Sequence, residues 1–263
     1  MTTTEKTKIF QKQISERLTD LFYNSLHQTE EIREVLKILE MNVNKYGGDG
    51  GRNISIYRVL ECINEPETFY YQHDAIEYRF GQNRGSRIYS PRIDVGIAPS
   101  FIRSGERKSR CLMNILLPPG SRAYVYDLFE RIDIIQNLKE MIRSKSNENY
   151  NLIGLSQRDC NLNNSPLYLF GIELENNLDT KHLMGDFLNS LMLSRNPIVL
   201  VQNDKLNFAL NLVKFIYTIK EKKGIDYTFF SKVDLLSIRQ FREIVNNLLR
   251  QNNIREIDII DYE

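Results

Sequence analysis

Two glutamates, Glu173 and Glu175, stand one residue apart at the end of an apolar run, in the stretch FGIELENN (170–177). If the run is a β-strand, alternate side chains share a face, and the two carboxylates lie about 6–7 Å apart along it. Adjacent anions repel each other, and partial burial raises a carboxyl pKa unless a cation intervenes. Carboxylate oxygens are ligands that Mg²⁺ prefers. The pair therefore indicates either a metal site or a strand end with solvated charges.

A third carboxylate, Asp94, lies in the stretch SPRIDVGIAP (90–99). On a strand, Asp94 shares its face with Gly96 and Ala98, which have the two smallest side chains. Such neighbours leave room for a metal ion and a phosphate to approach the carboxylate. The alternative is an aspartate near a turn, beside a glycine that only serves tight packing.

Together these stretches form an order: Pro-Arg-Ile-Asp, a strand ending in Glu-Leu-Glu, a helix, and the strand PIVLVQ (197–202). This order resembles the PD-(D/E)xK nuclease superfamily, and within it the type II restriction endonucleases with Glu-x-Glu in place of Glu-x-Lys. The resemblance covers residues 77–202, about half of the chain, through short motifs. It implies an α/β fold with a central mixed β-sheet flanked by helices, here preceded by a helical N-terminal region.

The resemblance also implies roles for the acidic residues. Asp94 and Glu173 match the metal ligands of the family, and the implied cofactor is Mg²⁺. Glu175 stands where the family usually has a lysine. A glutamate can bind the metal or accept the proton of the attacking water, but it adds negative charge. Such a site would depend more strongly on metal ions for neutralisation. In some members an upstream acid joins the site, and Glu77 is the candidate here, unless it is an exposed charge beside Arg79.

A pair of residues that follows the Glu-x-Glu strand in the sequence could supply auxiliary groups. Lys181, at the start of the next helix, could replace the missing lysine, and His182 could contact phosphate. Both also fit an ordinary solvated helix start. In this helix we expect an apolar stripe to pack on the sheet behind the glutamates, with a polar side opposite. The apolar residues are Leu183, Met184, Phe187, Leu188, Leu191 and Met192, and the polar ones are His182, Asp186, Asn189 and Ser190.

Basic residues concentrate in the window 79–110, where eight Arg and Lys residues face only two acids, a net charge of +6. The whole chain has a net charge of +1. A local basic cluster around an acidic site is what binding of a phosphodiester backbone requires. The predicted DNA-binding residues are Arg84, Arg87, Arg92, Arg103, Arg107, Lys108 and Arg110. The alternative is a solvated basic loop.

The function that the resemblance implies is that of a type II restriction endonuclease, hydrolysing double-stranded DNA at a specific sequence with Mg²⁺. Symmetric duplex cleavage needs two active sites, so a homodimer is expected. The alternative from another class is a non-catalytic DNA-binding or regulatory protein that keeps the nuclease fold. A third is an enzyme of the same superfamily acting on DNA junctions or RNA.

Bulk composition fits a globular protein, with 263 residues, 41% hydrophobic and 26% charged. The three cysteines, Cys62, Cys111 and Cys160, show no CxxC spacing, so neither a disulfide framework nor a zinc site is indicated. The polar N-terminus does not resemble a signal peptide, and no run of about 18 apolar residues occurs. We therefore expect a cytoplasmic protein with no membrane partner.

The predicted organisation is a helical N-terminal region (1–65) and a nuclease-like core (66–263) with a helical insertion near 112–150. Hydrophobic periodicity and turn residues give the expected elements. Helices are expected near 9–22, 32–39, 54–63, 122–144, 180–194, 204–222 and 236–250. Strands are expected at 92–99, 167–175, 197–202 and near 226–235.

Overall fold

The computed structural model describes residues 3–26, 29–31, 33–34, 54–64, 93–103, 119–156, 168–176, 179–223 and 228–258. For residues 3–4, 23–24, 26, 54–64, 98–103, 119–122, 220–223 and 228–229 this description covers the backbone. The helices are α1 (Thr3–Leu26), α2 (Pro119–Phe129), α3 (Asp133–Asn151), α4 (Thr180–Leu193), α5 (Leu206–Lys223) and α6 (Ile238–Gln251). The strands are β1 (Ile54–Asn64), β2 (Val95–Arg103), β3 (Tyr168–Glu175), β4 (Ser194–Val201) and β5 (Asp234–Ser237). Short 3₁₀ helices cover Asn203–Lys205 and Thr228–Lys232.

The strands form one mixed sheet in the order β1-β2-β3-β4-β5. The pairs β1–β2 and β2–β3 are antiparallel, whereas β3–β4 and β4–β5 are parallel. Helix α4 connects β3 to β4 and helix α5 connects β4 to β5, as parallel pairing requires. The prediction of an α/β protein with a mixed sheet, flanking helices and a helical N-terminus is confirmed at this level.

One face of the sheet is covered by α1, α2, α3 and α6, and the layer between them is apolar. The sheet contributes alternate residues, because side chains along a strand point to opposite faces. Helix α1 adds a stripe of five buried residues at helical spacing. The core residues from β2, β3 and β4 are Val95, Ile97, Phe170, Ile172, Leu174, Ile198 and Leu200, with Leu169 outside this alternation, and those from α1 are Phe10, Ile14, Leu18, Leu21 and Phe22. Helix α1 thus shares a core with β2–β4, and the domain boundary expected near residue 65 stays a prediction.

The opposite face is covered by α4 and α5. Its apolar layer comes from the remaining residues of β4 and β5 and from the inner faces of the two helices. The buried residues include Val199, Val201, Leu235, Leu183, Phe187, Leu191, Ala209, Leu210 and Val213. Since Glu173 pairs with Val199 and Glu175 pairs with Val201, both glutamates lie on this face. Strands β3, β4 and β5 are therefore enclosed by helices on both sides, and the two acids point into the α4 side.

The outer edge of β5 is satisfied by helix α3. The Leu235 N–H donates to Ser146 Oγ at 3.0 Å, and the Leu235 carbonyl accepts from Asn149 Nδ2 at 2.9 Å. An open strand edge exposes backbone groups that can pair with another chain. Side chains of α3 take the place of a sixth strand here.

The prediction of a helix at 54–63 is wrong, because these residues form β1. Ile56, Val59, Leu60 and Ile63 keep the i, i+3, i+4, i+7 spacing of a helix, but β1 pairs with β2 from Ile54↔Arg103 to Asn64↔Val95. Strand preference depends on cross-strand neighbours that local spacing does not reveal. The pairing with β2, and not the local spacing of apolar residues, therefore determines the secondary structure of this segment.

The prediction that the strand after Asp94 ends at Pro99 is wrong, because Pro99 lies inside β2. The register of β1 and β2 shifts between Arg58 and Glu61, which pair with Ser100 and Ala98. Two residues of β1 therefore oppose Pro99, as in a β-bulge, which removes the need for a proline N–H. The pairing of β2 with β3 is confined to Val95–Ile97, so no ladder hydrogen bond to β3 is required at Pro99.

The single helix predicted at 122–144 is two helices, α2 and α3, with a break at 130–132. No proline or glycine marks the break, and Ile132 is extended there with φ −76° and ψ 126°. Glu130 is held by tertiary contacts instead: it accepts from Asn196 Nδ2 at 2.9 Å and pairs with Arg195 at 2.9 Å. These contacts to β4 favour a break that the sequence periodicity does not show.

The remaining elements lie near their predicted places. Strand β3, helix α4, helix α5 and helix α6 match within about two residues, and β4 begins three residues earlier than expected. The extended run expected near 226–235 is a 3₁₀ turn followed by the short strand β5. The helix predicted at 32–39 falls mostly outside the described residues. In the described ranges, none of the helices has the length and apolar character that crossing a membrane requires.

Candidate functional site: an acidic cluster between the sheet and helix α4

Asp94 and Glu173 are placed opposite each other by the β2–β3 register. Val95 pairs with Ile172, so continuing the antiparallel ladder by one residue sets Asp94 beside Glu173. The Asp94 N–H donates to Glu173 Oε2 at 3.1 Å, and the Leu174 N–H donates to Asp94 Oδ2 at 2.8 Å. Each carboxylate thus binds the backbone of the other strand. Two acids 79 residues apart in sequence become one pair.

Glu173 is almost fully enclosed, with 4% of the residue exposed. Its Oε1 atom is buried and makes no hydrogen bond of good geometry. Burial, followed by the charges of Asp94 and Asp186, raises the pKa of Glu173 well above its ordinary value. The Asp94 N–H and the side chain of Asn189 oppose this rise only in part. A solvated strand end is therefore excluded for this carboxylate.

Glu175 is buried too, with 8% exposed, and points to the same face as Glu173. Its partner is Asp186 of helix α4. Burial raises the pKa of Asp186 from 3.8 to about 9, and the nearby Glu175 charge and a hydrogen bond to Glu175 add to this rise. The Glu175 and Asp186 side chains therefore lie within hydrogen-bond reach of each other. We call Asp94, Glu173, Glu175 and Asp186 the acidic cluster.

Helix α4 places Asp186 close to the glutamates because the helix packs on the sheet directly above them. It begins at Asp179, whose side chain accepts from the Lys181 N–H at 2.8 Å and caps the helix. Leu183, Phe187 and Leu191 are buried as predicted. In a tight β-α-β connection the helix must cover its own strands, which fixes the height of Asp186 above β3.

The predicted polar side of α4 is wrong in two respects. Asp186 and Asn189 face Glu175 and Glu173 instead of lying away from them, and Ser190 is fully buried. Conversely, Leu188 and Met192, assigned to the core stripe, are 39% and 62% exposed.

A sequence signal for Asp186 exists. Leu183, Asp186, Phe187 and Ser190 keep the i, i+3, i+4, i+7 spacing of a buried helix face, with an acid at the second position. An acid within such a face needs a partner, and the Glu-x-Glu strand just before the helix supplies one.

The glycines near Asp94 serve tight packing of the sheet. A Cβ atom at Gly96 would lie 2.7 Å from Cδ1 and Cε1 of the Tyr168 ring. At Gly171, a Cβ atom would lie 1.8 Å from Ser194 Oγ and 2.3 Å from Ile93 Cδ1. The space expected beside Asp94 for a metal and a phosphate is therefore filled on the Gly96 side, and the tight-packing alternative holds there.

The donor atoms of the cluster suit a hard cation. All are carboxylate oxygens, and Glu173 Oε1 is a buried acceptor without a hydrogen bond. In the described part of the chain, however, no three Asp, Glu, His or Cys side chains are grouped to hold one metal ion together. Mg²⁺ commonly takes one or two carboxylates and completes its shell with water and substrate phosphates. The acids thus fit a cation held by two protein ligands.

The other predicted site residues are not brought to the cluster by the described structure. Lys181 and His182 are exposed at the start of α4. Arg103 ends β2, where only its backbone is described. Glu77 and the remaining predicted DNA-binding residues lie outside the described residues: Arg84, Arg87, Arg92, Arg107, Lys108 and Arg110.

Two surface cavities lie elsewhere, along α2, α3 and α6, with volumes of about 520 and 820 Å³. The larger is lined by charged groups that pair among themselves and with β5. Lys139 binds Glu130 at 3.2 Å, and Arg143 binds Asp234 at 2.9 Å. Neither cavity includes a residue of the acidic cluster.

Comparisons with known proteins complete the description of the site. No protein-family model, no curated protein and no solved structure matches the chain.

Proposed function

We propose that the chain is a Mg²⁺-dependent endonuclease with a restriction-endonuclease-like fold, which hydrolyses phosphodiester bonds of double-stranded DNA at a specific sequence. The observation that carries this proposal is the Asp94–Glu173 pair, joined through both backbones at 3.1 and 2.8 Å, in which Glu173 is buried. The order of elements supports it: an aspartate where one strand begins, Glu-x-Glu on the next strand, then a helix and a parallel strand.

In this proposal Asp94 and Glu173 hold the cation. When bound, Mg²⁺ lowers the pKa of a water ligand and neutralises the charge that develops on the scissile phosphate. The protein keeps the two acids in place through the β2–β3 hydrogen bonds, so little rearrangement is needed at the moment of reaction. Glu175 is either a further ligand or the group that accepts the proton of the water.

The DNA partner would be held by the basic window 79–110, which precedes and follows Asp94 in the sequence. Arginine can bind phosphate or guanine through two hydrogen bonds at once. Glu77, within the same stretch, would be an additional metal ligand. Cleavage of both strands requires two sites, and a homodimer provides them.

A direct test uses the purified full chain, phage DNA, and buffers with Mg²⁺ or with EDTA. We expect discrete DNA fragments with Mg²⁺ and intact DNA with EDTA. Asp94→Asn and Glu173→Gln should each lower the cleavage rate by at least about 100-fold, because a metal ion is worth several kcal/mol of transition-state stabilisation. Unchanged cleavage by both variants would rule out this site.

Matched controls remove carboxylates that lie outside the cluster. Asp204→Asn and Glu148→Gln change side chains that are 67% and 61% exposed, and both should cleave like the parent chain. A smear of fragments would indicate hydrolysis without sequence specificity. Cleavage restricted to branched DNA or to RNA would assign another substrate.

A specific observation also favours a non-catalytic DNA-binding protein as a second candidate. Asp186 is hydrogen-bonded to Glu175, and burial raises the pKa values of both Glu173 and Asp186. A cluster whose acids satisfy one another can be structural. This candidate predicts DNA binding in a gel-shift experiment with no cleavage at any Mg²⁺ concentration.

A further inference from the structure

The outer surfaces of helices α4 and α5 carry more than half of the large apolar side chains that the described structure leaves in water. Seven such side chains are exposed among the described residues, and four of them lie on these two helices. The four, with exposed fractions from 38% to 62%, are Leu188, Met192, Phe208 and Phe215. Leu212 and Ile219, both partly buried, complete the row on α5. We call these six residues the α4–α5 patch.

The two parts of the α4–α5 patch face each other across the groove between the helices. The helices lie side by side, because they connect successive parallel strands by right-handed connections. On α4, Asp186 faces the glutamates of β3, and Leu188 lies on the opposite flank, toward α5. Burial, followed by the charges of Asp234 and Tyr217, raises the pKa of Tyr150, which binds the backbone just before β5. Tyr217 of α5 is therefore turned toward β5, and the patch residues of α5, on the other side of this helix, are turned toward α4.

The spacing of the patch residues is typical of a surface that packs on other helices. On α5 the steps between them are four, three and four residues, and on α4 Leu188 and Met192 are four residues apart. Steps of three and four residues keep a seam on one side of a helix, as in coiled coils and four-helix bundles. The inner faces of both helices pack on the sheet through other residues. The α4–α5 patch is thus a second packing surface of the same two helices.

Gly185 of α4, three residues before Leu188, has no packing role within the described structure. A Cβ atom at this position would meet no atom within 4 Å, and its backbone is helical, so other residues could take its place. Glycine inside a helix lowers stability relative to alanine. Close approach of another helix to this point of α4 is a physical reason for a glycine here.

We propose that the α4–α5 patch binds the same patch of a second copy of the chain. A two-fold interface brings identical surfaces together, so the surface must be compatible with itself. The exposed residues that border the patch on α5 are Asn207, Asn211 and Lys214, with one charge among three. Two copies can therefore meet with little repulsion between like charges.

The apolar area of the patch is close to what a dimer requires. The exposed fractions of its four exposed residues amount to about two whole side chains, roughly 400 Å² at about 200 Å² each. A standard interface buries about 800 Å² of each partner, and somewhat more than half of this area is apolar. Pairing of two patches supplies most of that apolar part.

This inference rests on the proposed function only for its requirement of two copies, and it names the surface that joins them. Asp186 and the patch lie on different flanks of α4, so pairing through the patch does not use the residues of the acidic cluster.

Sedimentation velocity of the full chain, over a wide range of protein concentrations, tests the patch without relying on activity. We expect a dimer for the parent. Phe215→Glu should raise the Kd of the dimer at least about 100-fold, because pairing would bury unpaired charges. Gly185→Gln should raise it at least about 10-fold by keeping the helices apart, yet stay folded, since glutamine favours a helix and meets nothing within the chain. Circular dichroism checks the fold of each variant.

The control is Leu152→Glu, which places the same acid at a leucine that is 74% exposed at the end of α3, outside the patch. It should dimerise like the parent. A parent chain that is monomeric at every concentration would overturn the proposal, and the patch would then serve another partner. Folded Phe215→Glu and Gly185→Gln variants that both dimerise as tightly as the parent would overturn it too.

Cleavage of phage DNA with Mg²⁺, measured on the same preparations, separates this inference from the proposed function. A parent dimer that depends on the patch but cuts no DNA keeps the interface and overturns hydrolysis. A monomeric parent chain that cuts DNA overturns the interface and leaves the endonuclease proposal standing.

Discussion

The two faces of the central sheet are built from the same strands and are chemically unlike. On the α1 side, β3 presents Phe170, Ile172 and Leu174 to an apolar layer. On the α4 side, the alternate residues Glu173 and Glu175 are just as buried but ionisable. All eight residues of β3 are buried, so neither face of this strand meets bulk water.

One face of β3 is thus purely apolar, whereas on the other face four acids lie next to an apolar layer. Apolar burial contributes about 25 cal/mol for each Å² removed from water, and the α1 side supplies this without electrostatic cost. The α4 side places four acids together under a helix, which raises carboxyl pKa values and lowers stability at neutral pH. Groups arranged against stability in this way are typical of functional sites.

The largest effect on stability is expected on the apolar face. Phe170→Ala removes a ring that is 1% exposed and should lower the free energy of unfolding by about 3–5 kcal/mol. Urea denaturation measures the change. Leu152→Ala is the control, because Leu152 lies outside the α4–α5 patch, is 74% exposed, and its loss should cost less than about 0.5 kcal/mol. Equal losses for the two variants would contradict the assignment of the core.

A smaller effect, opposite in kind, is expected when the acidic face titrates. The folded-state pKa values of Glu173 and Asp186 are raised, so between pH 3.8 and about 9 the native state binds more protons than the unfolded state. Stability therefore falls as pH rises through this window. Without divalent cations we expect the free energy of unfolding to decrease by about 2 kcal/mol from pH 5 to pH 8, well below the ideal limit because relaxation and water entry reduce it.

Addition of Mg²⁺ should reverse this loss more strongly at pH 8 than at pH 5, since ionised carboxylates bind the cation. Thermal unfolding at both pH values, with and without 10 mM Mg²⁺ (a concentration on the order of that used for metal-dependent nucleases), measures both effects. Stability that rises from pH 5 to pH 8 in EDTA would contradict the raised pKa values.

The smallest effect tests one acid alone. Asp186→Asn keeps the size of the side chain and a hydrogen-bond donor to Glu175 but no longer titrates. In EDTA at pH 8 this substitution should raise the free energy of unfolding by about 1 kcal/mol. That is close to the free energy that corresponds to a pKa shift of one unit. The pH dependence of this variant should be shallower than that of the parent. A destabilised Asp186→Asn would instead indicate that Asp186 is structural.

The sequence predicted the elements from residue 167 onward well, because long periodic segments alternate there with short apolar strands. It also identified Asp94, Glu173 and Glu175, which the fold brings to one face. Prediction failed at β1, whose apolar spacing suits a helix until β2 pairs with it. It failed again at Glu130, where contacts to Arg195 and Asn196 accompany a break in a pattern that reads as continuous.

The role of Asp186 could be predicted from the sequence only in part. Its position within a buried helix face could be read from the sequence, but its partner could not, because the distance from α4 to β3 depends on how the connection packs. The predicted open space near Asp94 failed for a similar reason. Glycine at position 96 is required by the ring of Tyr168, which lies 72 residues away in the sequence.

By itself the sequence determined which strand carries the carboxylates and that they share a face, since alternation along a strand is a local property of the backbone. Only the tertiary structure decided that this face is buried, that Asp94 lies opposite Glu173, and that a fourth acid from α4 completes two pairs. Burial and pairing depend on strand register and helix packing, which join residues far apart in the chain. The pKa values follow from that enclosure, and so does the cation chemistry proposed for the site.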